Sequence, residues 1–137
     1  MEDLHPDLLG DALPDPAARL EPIEDLRWVL FDFSGRLGRA RWWMFNGVLI
    51  ALAVAAAAFV SSIPEGPLGA AAALVWFGGV AWMKLALDVK RFHDTGYSGR
   101  TVLLSLVLGL GSIAKLFILG FLAGDPRSNE YGPPPAA

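Results

Sequence analysis

The sequence contains no cysteine, and this absence excludes several kinds of site. Disulfide bonds, thiolate zinc sites, cysteine-bound iron–sulfur clusters and cysteine nucleophiles cannot form in this chain. Only two histidines are present, His5 and His93, which argues against a metal site needing several imidazole ligands. No phosphate-binding loop and no nucleophile with a neighbouring base is recognisable, so we predict a protein that is not an enzyme and needs no cofactor.

The chain is rich in apolar residues. Over 137 residues it is 54% hydrophobic, more than an ordinary soluble domain carries. Its net charge of −3 is unevenly spread, because eight of the fourteen acidic residues fall in the first 25 positions. This composition favours a membrane protein with an acidic tail. Its few basic groups would lie against the bilayer, so we expect no nucleic-acid binding.

The first part of the chain shows no sustained apolar period. Four prolines interrupt any helix there: Pro6, Pro14, Pro16 and Pro22. We predict a disordered acidic tail over 1–27, an integral membrane domain over 28–134 and a flexible C-terminus over 135–137. An alternative prediction is a short interfacial helix over 23–32, whose apolar side chains would lie among the lipid headgroups.

Three long apolar runs follow, each close to the roughly 20 residues that a membrane-spanning helix needs. They predict an all-α, polytopic transmembrane protein with about three spans, 42–60, 68–87 and 101–123. The third run contains two glycines and a serine over 109–112, so it is either one tilted helix or a broken helix forming a hairpin. We expect one helix.

The distribution of basic residues predicts the orientation, because short cytoplasmic loops are enriched in lysine and arginine. The turn over 61–67 has no basic residue. The segments before the first run and after the second are basic, with Arg27, Arg36, Arg39, Arg41, Lys90, Arg91 and Arg100. The N-terminus and second loop are therefore predicted to be cytoplasmic. The C-terminal tail would lie outside after three spans, or in the cytoplasm if the third run is a hairpin.

Two loop motifs resemble each other, Phe33-Ser34-Gly35-Arg36 and Tyr97-Ser98-Gly99-Arg100. Each places a serine where it can cap the next helix. One interpretation is that both motifs have the same structural role at the membrane interface: an aromatic anchor, a helix cap, a flexible glycine and a charge that faces the headgroups. The other is that the arginines and lysines of both loops converge on a cytoplasmic patch that binds anionic lipid headgroups or an acidic partner.

Three charged or polar residues invite chemical interpretation. His93 and Asp94 are adjacent and so do not face each other on a helix, and we expect His93 to bond loop backbone. Lys115 is a candidate intramembrane charge, because an ionisable group deep in a span is costly without a partner. Its partner would be Asp88 or Asp94, unless a shift of the helix brings it to an interface.

Three ordered motifs carry a family resemblance across residues 28–134. The residues are Phe33, Gly35, Arg36, Arg39 and Trp43; Arg91, Phe92, His93, Asp94, Thr95, Gly96, Ser98 and Gly99; and Asn129, Tyr131, Gly132 and Pro133. In these the chain resembles the bacterial inner-membrane family known as domain of unknown function 805. The resemblance implies a small multi-pass protein of the bacterial inner membrane whose molecular function is not established. The chain departs from the family at Arg100 and Thr101, where aromatic residues are usual, and at 109–112, where a proline is common.

Our leading hypothesis is a non-enzymatic partner-binding or assembly component with a basic cytoplasmic face. Its expected partners are membrane lipids, including anionic headgroups, and other membrane proteins or further copies of the chain. The alternative is a subunit of an oligomeric small-solute transporter or channel, in which Lys115 lines a polar path. An enzyme using His93 and Asp94 ranks last.

Overall fold

The computed structural model describes residues 22–103 and 109–135. Within these residues the chain forms four helices, α1 (Pro22–Phe31), α2 (Arg39–Ser61), α3 (Pro67–Asp94) and α4 (Gly109–Phe121). Residues 101–103 are also helical, and the only β-type pairing in the described part of the chain is an isolated bridge between Asn129 and Gly132. The predicted helical class is confirmed.

Helix α1 corresponds to the alternative prediction of a short helix over 23–32. It begins at Pro22, a residue that suits the first turn of a helix because its missing N–H would have no partner there. Its Val29 is completely buried. Residues 22–27 of the predicted tail therefore belong to this helix, whereas 1–21 lie outside the described residues.

Helices α2 and α3 match the first two predicted spans. At 1.5 Å per residue their 23 and 28 residues extend about 35 and 42 Å, more than the roughly 30 Å of a bilayer core. Both are long and apolar enough to cross a membrane, and only 17% and 11% of their most apolar windows are buried inside the protein. Large apolar side chains such as Val54 and Leu74 point outward instead, with 65% and 76% of their surface exposed.

Helix α3 continues past the predicted end at 87 and stops at a Schellman motif. The N–H of Gly96 donates to His93 O at 3.2 Å, and the N–H of Tyr97 donates to Phe92 O at 2.9 Å. Gly96 has a φ of +80°, the left-handed conformation that this helix end requires and that glycine adopts without steric cost. Gly96, the residue after the C-cap Thr95, thus ends α3.

The third apolar run does not fit the single helix expected over 101–123. Gly99, before the run, lies against Val89 and His93 of α3. At the far end of the run, the Leu122 carbonyl accepts from Arg91 of the same helix end. A continuous helix of this length would separate its ends by about 33 Å, so the expectation of one helix is wrong. Both ends of the run therefore lie beside the end of α3, which agrees with the hairpin alternative.

Candidate functional site

The buried core lies at one end of the α2–α3 pair rather than along its length. The last nine residues of α3, from Ala86 to Asp94, are all buried, because α1, the 32–38 loop, α4 and the C-terminal segment surround this end of the helix. Several of these residues are ionisable, and charged groups are stable inside a protein only when they are paired. We call the following set the polar junction: Arg36, Lys90, Arg91, His93 and Asp94.

Asp94 joins two buried arginines. Its Oδ1 accepts from Arg36 Nη2 at 2.9 Å and from Arg36 Nε at 3.2 Å, while its Oδ2 accepts from Arg91 Nη1. The side chains of Arg36 and Arg91 are 1% and 0% exposed. Arg36 also donates to the carbonyl oxygens of Arg127, at 2.7 Å, and Gly132, at 3.3 Å. This ion triad therefore ties the 32–38 loop and the C-terminal segment to the end of α3.

Arg91 also bonds the C-terminal end of α4, together with two side chains of α2, because the last carbonyls of a helix have no partner within it. Arg91 donates to Leu119 O at 2.8 Å and to Leu122 O. Trp43 Nε1 donates to Gly120 O at 3.0 Å, and Arg39 Nη1 donates to Phe121 O at 3.3 Å. Cations also suit this end because the helix dipole is negative there. Three residues of the family motifs thus act together as a cap for α4.

Lys90 bonds the C-terminal carbonyls of α1, as Arg91 bonds those of α4. Its Nζ donates to Trp28 O at 2.5 Å, Val29 O at 2.8 Å and Asp32 O at 2.6 Å. The ammonium also lies 4.7 Å from the centre of the Trp28 ring, a cation–π distance. Two neighbouring cations of α3 therefore hold the ends of two different helices.

His93 bonds loop backbone, as predicted. Its Nδ1 lies 3.1 Å from Gly35 O, which fixes this nitrogen as the donor. The ring stacks on Tyr131 with centroids 3.7 Å apart and planes at 1°, and Asn129 Nδ2 donates to His93 O at 2.9 Å. All three family motifs meet at this histidine. In the described part of the chain, no three His, Asp or Glu side chains are grouped to hold a metal ion.

The remaining residues of the loop and family motifs lie outside the polar junction. Phe33 packs edge-on against Trp82 with ring centroids 5.2 Å apart, and Pro133 is exposed. Ser34 does not cap α2, which begins at Arg39; instead its N and Oγ both donate to Asp32 at 2.7 Å. These hydrogen bonds hold the pKa of the Asp32 carboxyl below its usual value. Ser98 Oγ accepts from Arg100 N at 3.4 Å, a long contact for a helix cap.

Lys115 pairs with Asp88, one of its two predicted partners. Its Nζ lies 2.9 Å from Asp88 Oδ2, while Asp88 Oδ1 accepts from Lys84 and, at 3.1 Å, from Trp42 Nε1. Asp88 is 1% exposed, and its side chain balances one of the two lysine charges. This second cluster borders a cavity of about 330 Å³ between α2, α3 and α4.

Sequence analysis missed two contributors. The sequence places Trp42 at the start of the first span, as an aromatic residue of the membrane boundary, and gives no sign that its indole N–H bonds Asp88 or that its carbonyl accepts from Asn46 Nδ2 at 2.7 Å. Asn46 itself was overlooked, yet a single amide within an apolar run is a recognisable mark of a buried polar contact. Lys90 was counted as a loop cation, but its side chain is directed inward.

Comparison with protein families agrees with the motif geometry. The family model described as "Protein of unknown function (DUF805)" matches residues 30–133. No curated protein and no solved structure matches the chain. The matched range includes α2, α3, α4 and every residue of the polar junction. The chain therefore belongs to the DUF805 family of proteins of unknown function.

Proposed function

We propose that this chain is an integral protein of the bacterial inner membrane and acts, without catalysis, as a partner-binding or assembly component. The outward-facing apolar side chains of α2 and α3 support a membrane location, because burying their exposed surface in lipid is favourable and leaving it in water is not. A helix in the core of a soluble protein would be covered by protein instead. The polar junction supports a non-catalytic role, since its histidine, carboxylate and arginines are engaged in internal bonds.

The proposed topology has two full spans, α2 and α3, and a third segment that enters and leaves on one side. The polar junction then lies at the cytoplasmic surface, because exposed Arg41 and Arg100 are at this end while the turn at the opposite end carries only Glu65. Both the α1 end and the C-terminal segment lie on the same cytoplasmic side.

Reporter fusions test this topology. We expect a fusion after Ala137 to be active only with a cytoplasmic reporter, and one inserted after Glu65 only with a reporter active outside. The physical reason is that Arg36 binds the carbonyls of Arg127 and Gly132, which fixes the C-terminal segment beside the polar junction. An external C-terminus, with the Glu65 fusion also external, would contradict the hairpin.

The basic face available to a partner is smaller than the sequence suggested. Arg36, Lys90 and Arg91 are buried and bonded, whereas Arg27, Arg39, Arg41 and Arg100 are exposed at the same end. Of these, Arg39 donates to Phe121 O and Arg41 lies 3.9 Å from Asp25 Oδ1. Exposed arginines beside a membrane suit an acidic protein segment or the anionic leaflet. The proposed partner-binding role rests on this observation: some cations at this end are buried in internal bonds, and others are exposed.

Charge reversal at the exposed positions tests the role. We expect Arg41→Glu with Arg100→Glu to reduce recovery of acidic co-purifying partners by about fivefold per arginine, following the roughly 1 kcal/mol that each basic residue contributes near an anionic surface. Quantitative mass spectrometry of proteins and lipids from the same membranes measures this. Glu65→Lys, at the opposite end, is the matched control and should change nothing. Equal recovery of acidic partners from the double variant and the control would contradict the proposal.

A transporter or channel subunit is the second candidate. The Asp88 cluster favours it, because two lysines and a carboxylate lie beside a cavity within the apolar part of the molecule. The helices described for one copy are too few to enclose a path, so this function requires oligomers. A single copy per nanodisc, measured by mass, would exclude it.

A further inference from the structure

The cavity between α2, α3 and α4 has one polar end and one apolar end. Lys84, Lys115 and Asn46 line the polar end, and the apolar side chains that line the rest include Ile50, Ala53 and Val80. Its volume of about 330 Å³ lies at the lower end of the range of small-ligand sites. Ile50 is 64% exposed, so the apolar end opens sideways toward the region that α2 presents to lipid.

The polar end carries an excess of positive charge. Among the described residues, Asp88 is the carboxylate that contacts Lys84 and Lys115, and a single negative charge balances only one of two ammonium groups. The Asp88 side chain is 1% exposed, whereas those of Lys84 and Lys115 are 37% and 22% exposed. The carboxylate is therefore sealed and the lysines are accessible from the cavity. An anion entering there would meet two donors of charge-assisted hydrogen bonds.

The order of polar and apolar groups matches that of a phospholipid in one leaflet. Helix α2 begins beside the polar junction, and Ala53 lies eleven residues beyond Trp42, about 16 Å further along the axis. Helix α3 runs in the opposite direction, so Val80 lies one turn deeper than Lys84. The charged end of the cavity thus faces the membrane surface and its apolar end faces the bilayer centre.

We propose that this cavity binds an anionic phospholipid of the bilayer. Lys84 and Lys115 contact the phosphate, one acyl chain lies along Ile50, Ala53 and Val80, and the rest of the lipid remains in the surrounding leaflet. The inference rests on the proposed membrane location. It goes beyond the proposed docking role, because the site uses none of the exposed arginines of the basic face.

Lipid retention in nanodiscs tests the site. The full chain is placed in discs of equal parts phosphatidylglycerol and phosphatidylcholine, and the lipids that stay bound after release are counted by native mass spectrometry. We expect phosphatidylglycerol to be retained about tenfold over phosphatidylcholine, the ratio that one charge-assisted pair can supply. The triple variant Lys84→Gln, Asp88→Asn, Lys115→Gln should lose this preference. Glu65→Gln, which removes a charge at the opposite end of α2 and α3, outside both the cavity and the basic face, should keep it.

Two further variants separate binding from folding. Asp88→Asn alone raises the charge of the cluster and should increase the preference for phosphatidylglycerol, whereas a purely structural role of Asp88 would lower it. Ala53→Phe fills the apolar end without changing charge and should reduce retention. Equal retention of both lipids by the parent chain, or an unchanged preference in the triple variant, would overturn the site.

Three outcomes distinguish failure of the lipid site from failure of the proposed membrane location. Loss of phosphatidylglycerol on adding inorganic phosphate would assign the lysines to a soluble anion and overturn the lipid proposal. Failure of the chain to enter discs at all would contradict the membrane location itself. Entry without lipid preference would leave the membrane location intact and remove the lipid site alone.

Discussion

Asp94→Asn is expected to lower the free energy of unfolding by about 3–5 kcal/mol, the cost of removing one partner from a buried ion pair. Asparagine keeps one acceptor oxygen, but its amide presents donors to the other guanidinium. Arg36 and Arg91 would then be two buried cations without an anion between them. The loss should appear in denaturant titration in mixed micelles, followed by circular dichroism.

Asp125→Asn is the matched control. Its carboxylate accepts only a local bond from Arg127 N at 2.9 Å, which asparagine can also accept, so we expect a change of less than about 0.5 kcal/mol. If Asp94→Asn were no more destabilising than this control, the ion triad would not hold the junction together.

A combined variant separates the ion triad from the helix caps. Replacing a buried triad entirely by apolar residues is often neutral in proteins. Here Arg36→Met, Arg91→Met, Asp94→Leu should remain destabilised, because the carbonyls of Leu119 and Leu122 lose the donor Arg91 and that of Arg127 loses the donor Arg36. A buried carbonyl left unpaired costs about 1–3 kcal/mol. Recovery of full stability in the combined variant would indicate that the caps contribute little.

The length of the apolar runs was enough to predict α2 and α3. A run of some twenty apolar residues has few alternatives to a helix in a membrane, because each backbone group must be paired within the segment. Lys84 and Asp88 are four residues apart, a spacing that places both on one face of α3, where they pair. These predictions succeeded because they depend on local geometry.

The polar junction was only partly predictable, since its bonds join residues far apart in the chain. Arg36 and Arg41 belong to one basic segment, yet one is buried against Asp94 and the other is exposed. Linear clustering does not reveal which arginine faces inward. The path of the third apolar run was likewise decided by contacts of its ends with α3, and hydrophobicity carries no information about them.

Gly124→Ala is expected to destabilise the protein by about 1–3 kcal/mol through overpacking. A Cβ atom at Gly124 would lie 2.7 Å from Asp94 Cγ, closer than two carbon atoms can approach. The carboxylate cannot move aside easily, because Arg36 and Arg91 hold both of its oxygens. The backbone at Gly124 is not in the left-handed region, so the clash and not backbone strain causes the loss.

Gly78→Ala is the matched control, because it adds the same methyl group at a position with free space around it. A Cβ at Gly78 of α3 would meet nothing within 4 Å, and alanine is favoured over glycine in a helix by up to about 1 kcal/mol. Gly78→Ala should therefore be neutral or stabilising under the same mixed-micelle titration. In an Asp94→Ala background the clash disappears, and Gly124→Ala should cost less than it does in the parent chain. Equal costs of Gly124→Ala in both backgrounds would mean that the methyl group disturbs something other than the Asp94 carboxylate.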